Sequence, residues 1–384
     1  MGGTDALDRL EGQSRETIQK GRKLWAGLDV GVETTSVCII DDLGEILQES
    51  TCPSTLQGID NEIRWLRRRR FARVGVEAST SSAIVRGLRS RGYCIDAYET
   101  RRLSKFLRVR RNKTDAGDAL GIAEVGRIGP SLVPKVHMKN LECQSLQSRL
   151  LIRKFLIQDR VAAMSLLCRQ LELYGGRIRK SQISMRFRSQ VEAELRKVFG
   201  RHSSPLVLEL RRLLDHCERL LIQQQEIDRE LGRLCREHEP CSRFLQIPGV
   251  GPICALTFYA ALGEAGRFAR SSDVGPYLGL TPTLYESGMT RRVGRISKQG
   301  NRAARTALVQ SSIHFMRHAS PDSAIRSWAA RIERERGRKK ARVALARKLA
   351  IIMLAMWKSG ECFSDTRLAA IVVTPETKAD TSGA

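Results

Sequence analysis

Three short apolar runs joined by tight turns begin at residue 24, and the spacing of apolar residues then changes. Leu24-Trp25-Ala26-Gly27-Leu28-Asp29 reads as a buried strand that ends in an acid. Thr34 to Ile40 alternates and is rich in β-branched residues, Asp41-Asp42-Leu43-Gly44 is a turn, and Glu45 to Thr51 is a third strand. Runs so closely spaced make an antiparallel meander. From Gln57 to Arg69 the period lengthens, with Ile59, Ile63 and Leu66 on one helical face. Arg73 to Glu77 is a strand that again ends in an acid. Ser82–Arg91 reads as a helix, Tyr93–Ala97 as a strand, and Leu103–Arg110 and about Thr114–Arg127 as helices. The order β-β-β-α-β-α-β-α predicts an α/β domain with a mixed sheet over residues 23–130.

The chain of 384 residues has room for more than one such domain. Residues 1–22 read as a polar leader. Residues 137–238 read as almost wholly helical. Within them Leu206, Leu210, Leu213, Cys217, Leu220, Gln224, Ile227, Leu231 and Leu234 recur in steps of four and three. That heptad seam predicts either a coiled coil with Gln224 as a register-fixing core position, or a long helical hairpin inside one domain. Pro240 and the Ile247–Pro252 turn mark a mainly helical C-terminal domain over 244–360, and 361–384 reads as a tail. The fold class expected is therefore α/β plus α.

Sixty-six lysines and arginines against 41 acids give a net charge of +25, which favours a phosphate-rich partner. Hydrophobic residues at 42% supply real cores. The apolar run Leu349–Trp357 falls short of the ~20 residues a membrane span needs, and no secretory signal opens the chain. Ten cysteines are scattered without a CxxC pair, as suits a reducing cytoplasm, and the charge suggests association with the nucleoid. Cys235-x2-His238-x2-Cys241 has no fourth ligand at a usual zinc spacing.

Against this basic background, Asp29 and Glu77 end strands expected to be neighbours, and Asp115 and Asp118 share one helix face. Three elements thus aim carboxylates at one place. Such hard oxygen ligands suit Mg²⁺ or Mn²⁺, and a two-metal site can hold the attacking and leaving oxygens of a phosphodiester. Lys113 precedes the aspartate pair and is placed to meet the phosphate backbone. Each acid alone has a bland reading, Asp115 as a helix N-terminal acid and Glu77 as an exposed strand end. A rival reading takes Asp29-Val30-Gly31 and the Gly44 turn as the phosphate loop of sugar kinases and actin-like ATPases, but no second lobe with a Gly-rich adenosine loop follows.

Two C-terminal motifs complete the pattern. Ile247-Pro248-Gly249-Val250-Gly251-Pro252 before an apolar run reads as a helix-hairpin-helix turn whose N–H groups receive a phosphate, or as an ordinary Pro-Gly turn. Leu280-Thr281-Pro282-Thr283-Leu284-Tyr285-Glu286-Ser287-Gly288 leads into a Gly- and Arg-rich stretch ending at Gly300. Ser287 is a candidate nucleophile, with Tyr285 and Ser297 as competitors and a plain turn serine as the bland reading. Arg291, Arg292, Arg295, Lys298 and Arg302, with Lys113, Gly249 and Gly251, are the expected nucleic-acid contacts.

The motifs LDVG, VGVEAS, RNKTDAGDA, IPGVG and LTPTLYESG…GRISKQGNRAARTAL, in that order, cover roughly residues 24–128 and 244–318. Together they resemble DEDD transposases of the bacterial insertion-sequence class numbered one-ten, kin to Piv-type DNA invertases. The resemblance implies a RuvC-like (RNase H-like) N-terminal domain in which Asp29, Glu77, Asp115 and Asp118 bind Mg²⁺, with Mn²⁺ as an alternative. It implies that Ser287, the serine of YESG, attacks DNA and forms a phosphoserine link. It further implies a composite site between protomers, a joining coiled coil, a dimeric to tetrameric assembly, and a structured noncoding guide (bridge) RNA that pairs with donor and target DNA. The expected function is excision and insertion of a mobile element. The alternatives are a Holliday-junction nuclease that uses water and a non-catalytic nucleic-acid-binding relative.

Overall fold

The computed structural model describes residues 23–68, 72–80, 82–109, 114–129, 131–178, 187–200, 204–287 and 290–365. The leader 1–22, Lys113 and residues 366–384 of the expected tail lie outside the described residues. The chain divides into two compact units, Met1–Met138 and Lys139–Ala384.

In the first unit, β1 (Leu24–Val30), β2 (Thr34–Ile40) and β3 (Ile46–Pro53) form the meander, followed by β4 (Ala72–Glu77) and β5 (Ile95–Tyr98). The sheet order is β3-β2-β1-β4-β5, with β1–β2 and β2–β3 antiparallel and β1–β4 and β4–β5 parallel. Buried Asp41 shapes the β2–β3 turn by accepting hydrogen bonds from the Leu43 and Glu45 amides, each at 3.0 Å. The helices are α1 (Leu56–Ile63), α2 (Ser82–Ser90), α3 (Thr100–Leu107) and α4 (Asp115–Ile128).

Strand alternation divides the residues between two faces. Leu24, Ala26 and Leu28 of β1 and Val74 and Val76 of β4 pack with Ile59, Ile63, Val85 and Leu88 of α1 and α2. The opposite face carries Trp25, Gly27, Asp29, Gly75 and Glu77 and is covered by α4. A Cβ on Gly27 would overlap the Ala119 carbonyl oxygen and lie 2.6 Å from the Ala123 amide nitrogen. One on Gly75 would meet Ile122 Cγ2 at 2.9 Å. Missing side chains in the strands therefore let the backbone of α4 lie directly on the sheet.

In the second unit, α5 (Leu141–Leu173), α6 (Phe187–Phe199) and α7 (Pro205–Glu237) lead to α8 (Glu239–Phe244) and α9 (Pro252–Leu262). A hairpin of β6 (Pro282–Ser287) and β7 (Thr290–Ile296) follows, then α10 (Arg302–His318), α11 (Ala324–Arg336) and α12 (Arg338–Ser359). The heptad stripe of α7 is covered within the chain. Leu210, Leu214 and Cys217 pack with Met164, Leu167 and Leu171 of α5 and with Phe187, Val191 and Leu195 of α6. Antiparallel pairing of α5 and α7 is fixed by Arg149–Glu230 (2.6 Å), by Arg153–Asp228 and by Arg160 donating to Gln224 Oε1 at 3.1 Å. Gln224 is thus a polar partner in an intramolecular helical hairpin.

The base of that hairpin is not separate from the C-terminal domain. Cys143, Leu146, Leu231 and Cys235 share one core with α9, α10 and α12. Every residue of α9 from Cys254 to Leu262 is buried, as a helix apolar on all sides must be. Among the described residues no helix is long and apolar enough to cross a membrane.

The contact at Gly27 gives a direct test. Gly27→Ala is expected to lower stability by about 2–3 kcal/mol in chemical denaturation, because neither backbone can move aside without opening the sheet–helix interface. Wild-type stability in that variant would show the packing is looser than described.

Candidate active site

The close contact of α4 with the sheet also determines where the four carboxylates lie. Along β1, Trp25 sits against Gly126 and Gly27 against Ala119 and Ala123, so α4 runs antiparallel to the strand. Asp29 is the next β1 residue on that face, and the helix residues next in line are those of its first turn, Asp115 and Asp118. Along β4, Gly75 sits against Ile122, and Glu77 follows two residues later on the same face. The register pairs Leu28 with Val76, which sets Asp29 beside Glu77. One sheet edge and one helix end therefore collect all four acids. Asp29, Glu77 and Asp118 are half-buried and Asp115 is exposed.

The helix end is built for negative charge. Thr114 caps α4 by accepting from the Gly117 amide at 3.1 Å, and the helix dipole favours carboxylates in the first turn. Three other acids of this unit are neutralised by neighbouring cations. Asp60 faces Arg67 and Arg91, Asp96 faces Arg73 and Lys135, and Glu124 faces Arg127. Among the described residues, Glu77, Asp115 and Asp118 have no lysine or arginine within ion-pair distance. Hard oxygen donors without a protein cation at a common edge fit a divalent ion. They are not drawn into a closed cage: among the described residues no three His, Cys, Asp or Glu side chains group closely enough to hold a metal. Cys235, His238 and Cys241 form no such group either.

The second unit presents Ser287 differently from a loop serine. Pro282–Ser287 and Thr290–Ile296 form the β6–β7 hairpin, with Ser287 the last residue of β6, paired with Thr290. The signal was present in the sequence, where Thr-Leu-Tyr-Glu-Ser and Thr-Arg-Arg-Val flank the two residues Gly288-Met289. Ser287 is exposed, and strand alternation sets Tyr285 and its cross-strand partner Arg292 on its face. Leu284, Tyr285 and Val293 are 57%, 62% and 62% exposed, so the hairpin projects rather than packs.

Its base is rigid. A Cβ at Gly279 or Gly300 would overlap the Gln299 or Tyr277 carbonyl oxygen, and Arg305 donates to the carbonyls of Leu278, Gln299 and Gly300 at 2.9–3.0 Å. Burial, then the adjacent Arg302, lowers the Arg305 pKa from its ordinary value. Arg305 is thus a structural cation that the sequence did not single out. Arg295, Lys298 and Arg302 are exposed around it, while Arg291 is placed only by its backbone pairing with Glu286.

The two glycines of the IPGVG turn differ. Gly249 has φ +80, and a Cβ there would lie 2.5 Å from the Phe315 amide nitrogen of α10. Its glycine is explained by packing on α10. Gly251 begins α9, is exposed, and has open space where a Cβ would stand.

Two family models match the chain, one over its first part and one over its C-terminal part. A family model described as "Transposase", of the DEDD type of the IS110 class, matches residues 26–175. A second, described as "Transposase IS116/IS110/IS902 family", matches residues 241–328. The transposase for insertion sequence element IS1111A of Coxiella burnetii is 30% identical over 260 residues, 66% of this chain and 69% of that protein. The transposase for insertion sequence element IS1328 of Yersinia enterocolitica is 31% identical over 263 residues, 67% of this chain and 75% of that protein. A unit with a mixed five-stranded sheet, followed in the chain by a mainly helical unit, with both matched, defines a DEDD-type transposase, an enzyme class that acts on DNA. The chain belongs to the IS110/IS116 transposase family, which sets aside the actin-like ATPase reading.

The turn glycines yield a paired prediction. Gly249→Ala is expected to destabilise the protein by more than about 1 kcal/mol, from the positive φ and the clash with α10. Gly251→Ala should remain within about 1 kcal/mol of wild type. Equal midpoints for the two variants in thermal unfolding would contradict the packing role given to Gly249.

Proposed function

We propose that this transposase excises and inserts its own mobile element through a covalent phosphoserine intermediate, with Asp29, Glu77, Asp115 and Asp118 holding Mg²⁺ and Ser287 as nucleophile. The observation that carries the proposal is the convergence of acids from β1, β4 and α4 at one edge, three of them with no lysine or arginine partner among the described residues. The sheet order β3-β2-β1-β4-β5 supports a RuvC-like reading of the first unit. When bound, Mg²⁺ (or Mn²⁺) would polarise the scissile phosphate and withdraw charge from the attacking and leaving oxygens.

Ser287 supplies the protein nucleophile from an exposed strand end. Its Oγ forms the bond to phosphorus as the bond from phosphorus to one strand's oxygen breaks. The serine proton leaves with that oxygen as a hydroxyl, and the phosphodiester energy is kept in the new ester. The hydroxyl of another strand reverses the step and regenerates the serine. Arg292, on the face of Ser287, is placed to offset the charge that develops on the phosphate. Arg295, Lys298 and Arg302 extend the positive surface toward the DNA backbone.

The partners proposed are donor and target DNA, a structured noncoding guide RNA that pairs with both, and further copies of this chain. The net charge of +25 supports two polyanions held at once. Leu151, Ile152 and Phe155 of α5 and Ile222 of α7 are exposed, an apolar surface suited to self-association of the helical hairpin.

The test is an adduct assay with protein, Mg²⁺, guide RNA and end-labelled DNA, resolved under denaturing conditions. Wild type is expected to give a protein–DNA adduct, and Ser287→Ala to give none while still binding DNA. Asp118→Asn should reduce adduct formation at least about 100-fold, roughly 2.7 kcal/mol of transition-state stabilisation. An adduct with Ser287→Ala would exclude this nucleophile. Cleavage by wild type without any adduct would favour a water-using nuclease.

A further inference from the structure

Where α11 ends and α12 begins, the chain turns at Gly337, which has φ +85. Arg334, Arg336, Arg338, Lys339, Lys340 and Arg342 crowd into nine residues of this corner, against one acid, Glu335. All six except the half-buried Arg342 are exposed. Among the described residues, the one carboxylate within ion-pair distance of any of them is Glu333, 3.9 Å from Arg338. By contrast, Arg149, Arg153, Arg188, Arg211 and Arg212 are paired with carboxylates across and along α5–α7.

The arrangement costs the isolated protein stability. Cations at a helix start oppose the helix dipole, and Arg338 and Arg342, one turn apart, repel each other. Apart from the long Glu333–Arg338 contact, little offsets this: α12 has no acid in its first turn and no side-chain cap at Gly337. The starts of α4, α5, α7, α10 and α11 are instead capped by Thr114, Asn140, Ser204, Asn301 and Ser323.

We propose that this corner is a docking surface for duplex DNA, distinct from the β6–β7 hairpin, which grips the phosphate backbone without reading sequence. Neutralisation by phosphates would remove both the repulsion and the conflict with the dipole. Residues 334–342 include no aromatic side chain, so the surface lacks the rings on which unpaired bases chiefly stack. Among duplexes, DNA is the substrate that membership of a transposase family supplies. The inference rests on that membership, not on Ser287 or the four acids, so its failure leaves the phosphoserine reading untouched.

The test uses the full-length chain and labelled DNA duplex of arbitrary sequence, with binding followed by anisotropy across a salt series. Lys339→Gln/Lys340→Gln is expected to weaken binding about tenfold at low salt and to make the slope of log affinity against log salt shallower by about 2. Lys339→Glu/Lys340→Glu should weaken binding further while raising the unfolding midpoint by about 2–5 °C, because acids suit that helix end. An unchanged salt slope in the Gln variant, or a lower midpoint in the Glu variant, would overturn the proposal. Loss of affinity for an RNA duplex of equal length, with DNA affinity intact, would overturn the assignment to DNA.

Discussion

The backbone of α4 rests on β1 and β4 at two glycines, and the placement of the acids depends on that contact. Gly27 beneath Ala119 and Ala123, and Gly75 beneath Ile122, hold the helix closer than ordinary side chains allow. Each glycine is followed two residues later by an acid on the same face, Asp29 and Glu77. The helix starts with its own two acids a turn or so before the contact. Packing and chemistry are therefore coupled, because a change that lifts α4 also separates the carboxylates.

Charge is used in two ways. Along α5–α7, arginines are matched to carboxylates, which sets the antiparallel register of the hairpin. Exposed pairs of this kind contribute about 0–1 kcal/mol each, so buried cores at either end of the hairpin carry most of the stability. At the β6–β7 hairpin and the α11–α12 corner, cations stand with few acids near them. Some arginines of this basic transposase thus build the protein, while others stand without a carboxylate partner among the described residues.

Much of this was legible in the sequence. Strand alternation and the change of period located β1 to β5 and α4 to within a few residues, because those elements carry apolar runs bounded by turn residues. The acids stood out because each ends or begins such an element. Less legible was the partner of the α7 stripe, since a heptad seam has the same pattern whether its partner is another chain or α5 of the same one. The β6–β7 hairpin was missed because its strands are exposed on most of their length and so lack a hydrophobic period. Gly249 was read for its N–H, whereas its missing side chain makes room for the α10 backbone. Sequence shows that a glycine is present, not which of its properties is used.

The central proposal is that Asp29, Glu77, Asp115 and Asp118 together hold a divalent metal ion. Iron-directed cleavage tests it directly: Fe²⁺ replaces Mg²⁺ in the full-length protein, and ascorbate with peroxide then generates radicals at the bound ion. The account predicts backbone cuts near residues 29, 77 and 115–118, suppressed by excess Mg²⁺. Cuts confined to other segments, or cutting at these three that Mg²⁺ fails to suppress, would contradict it.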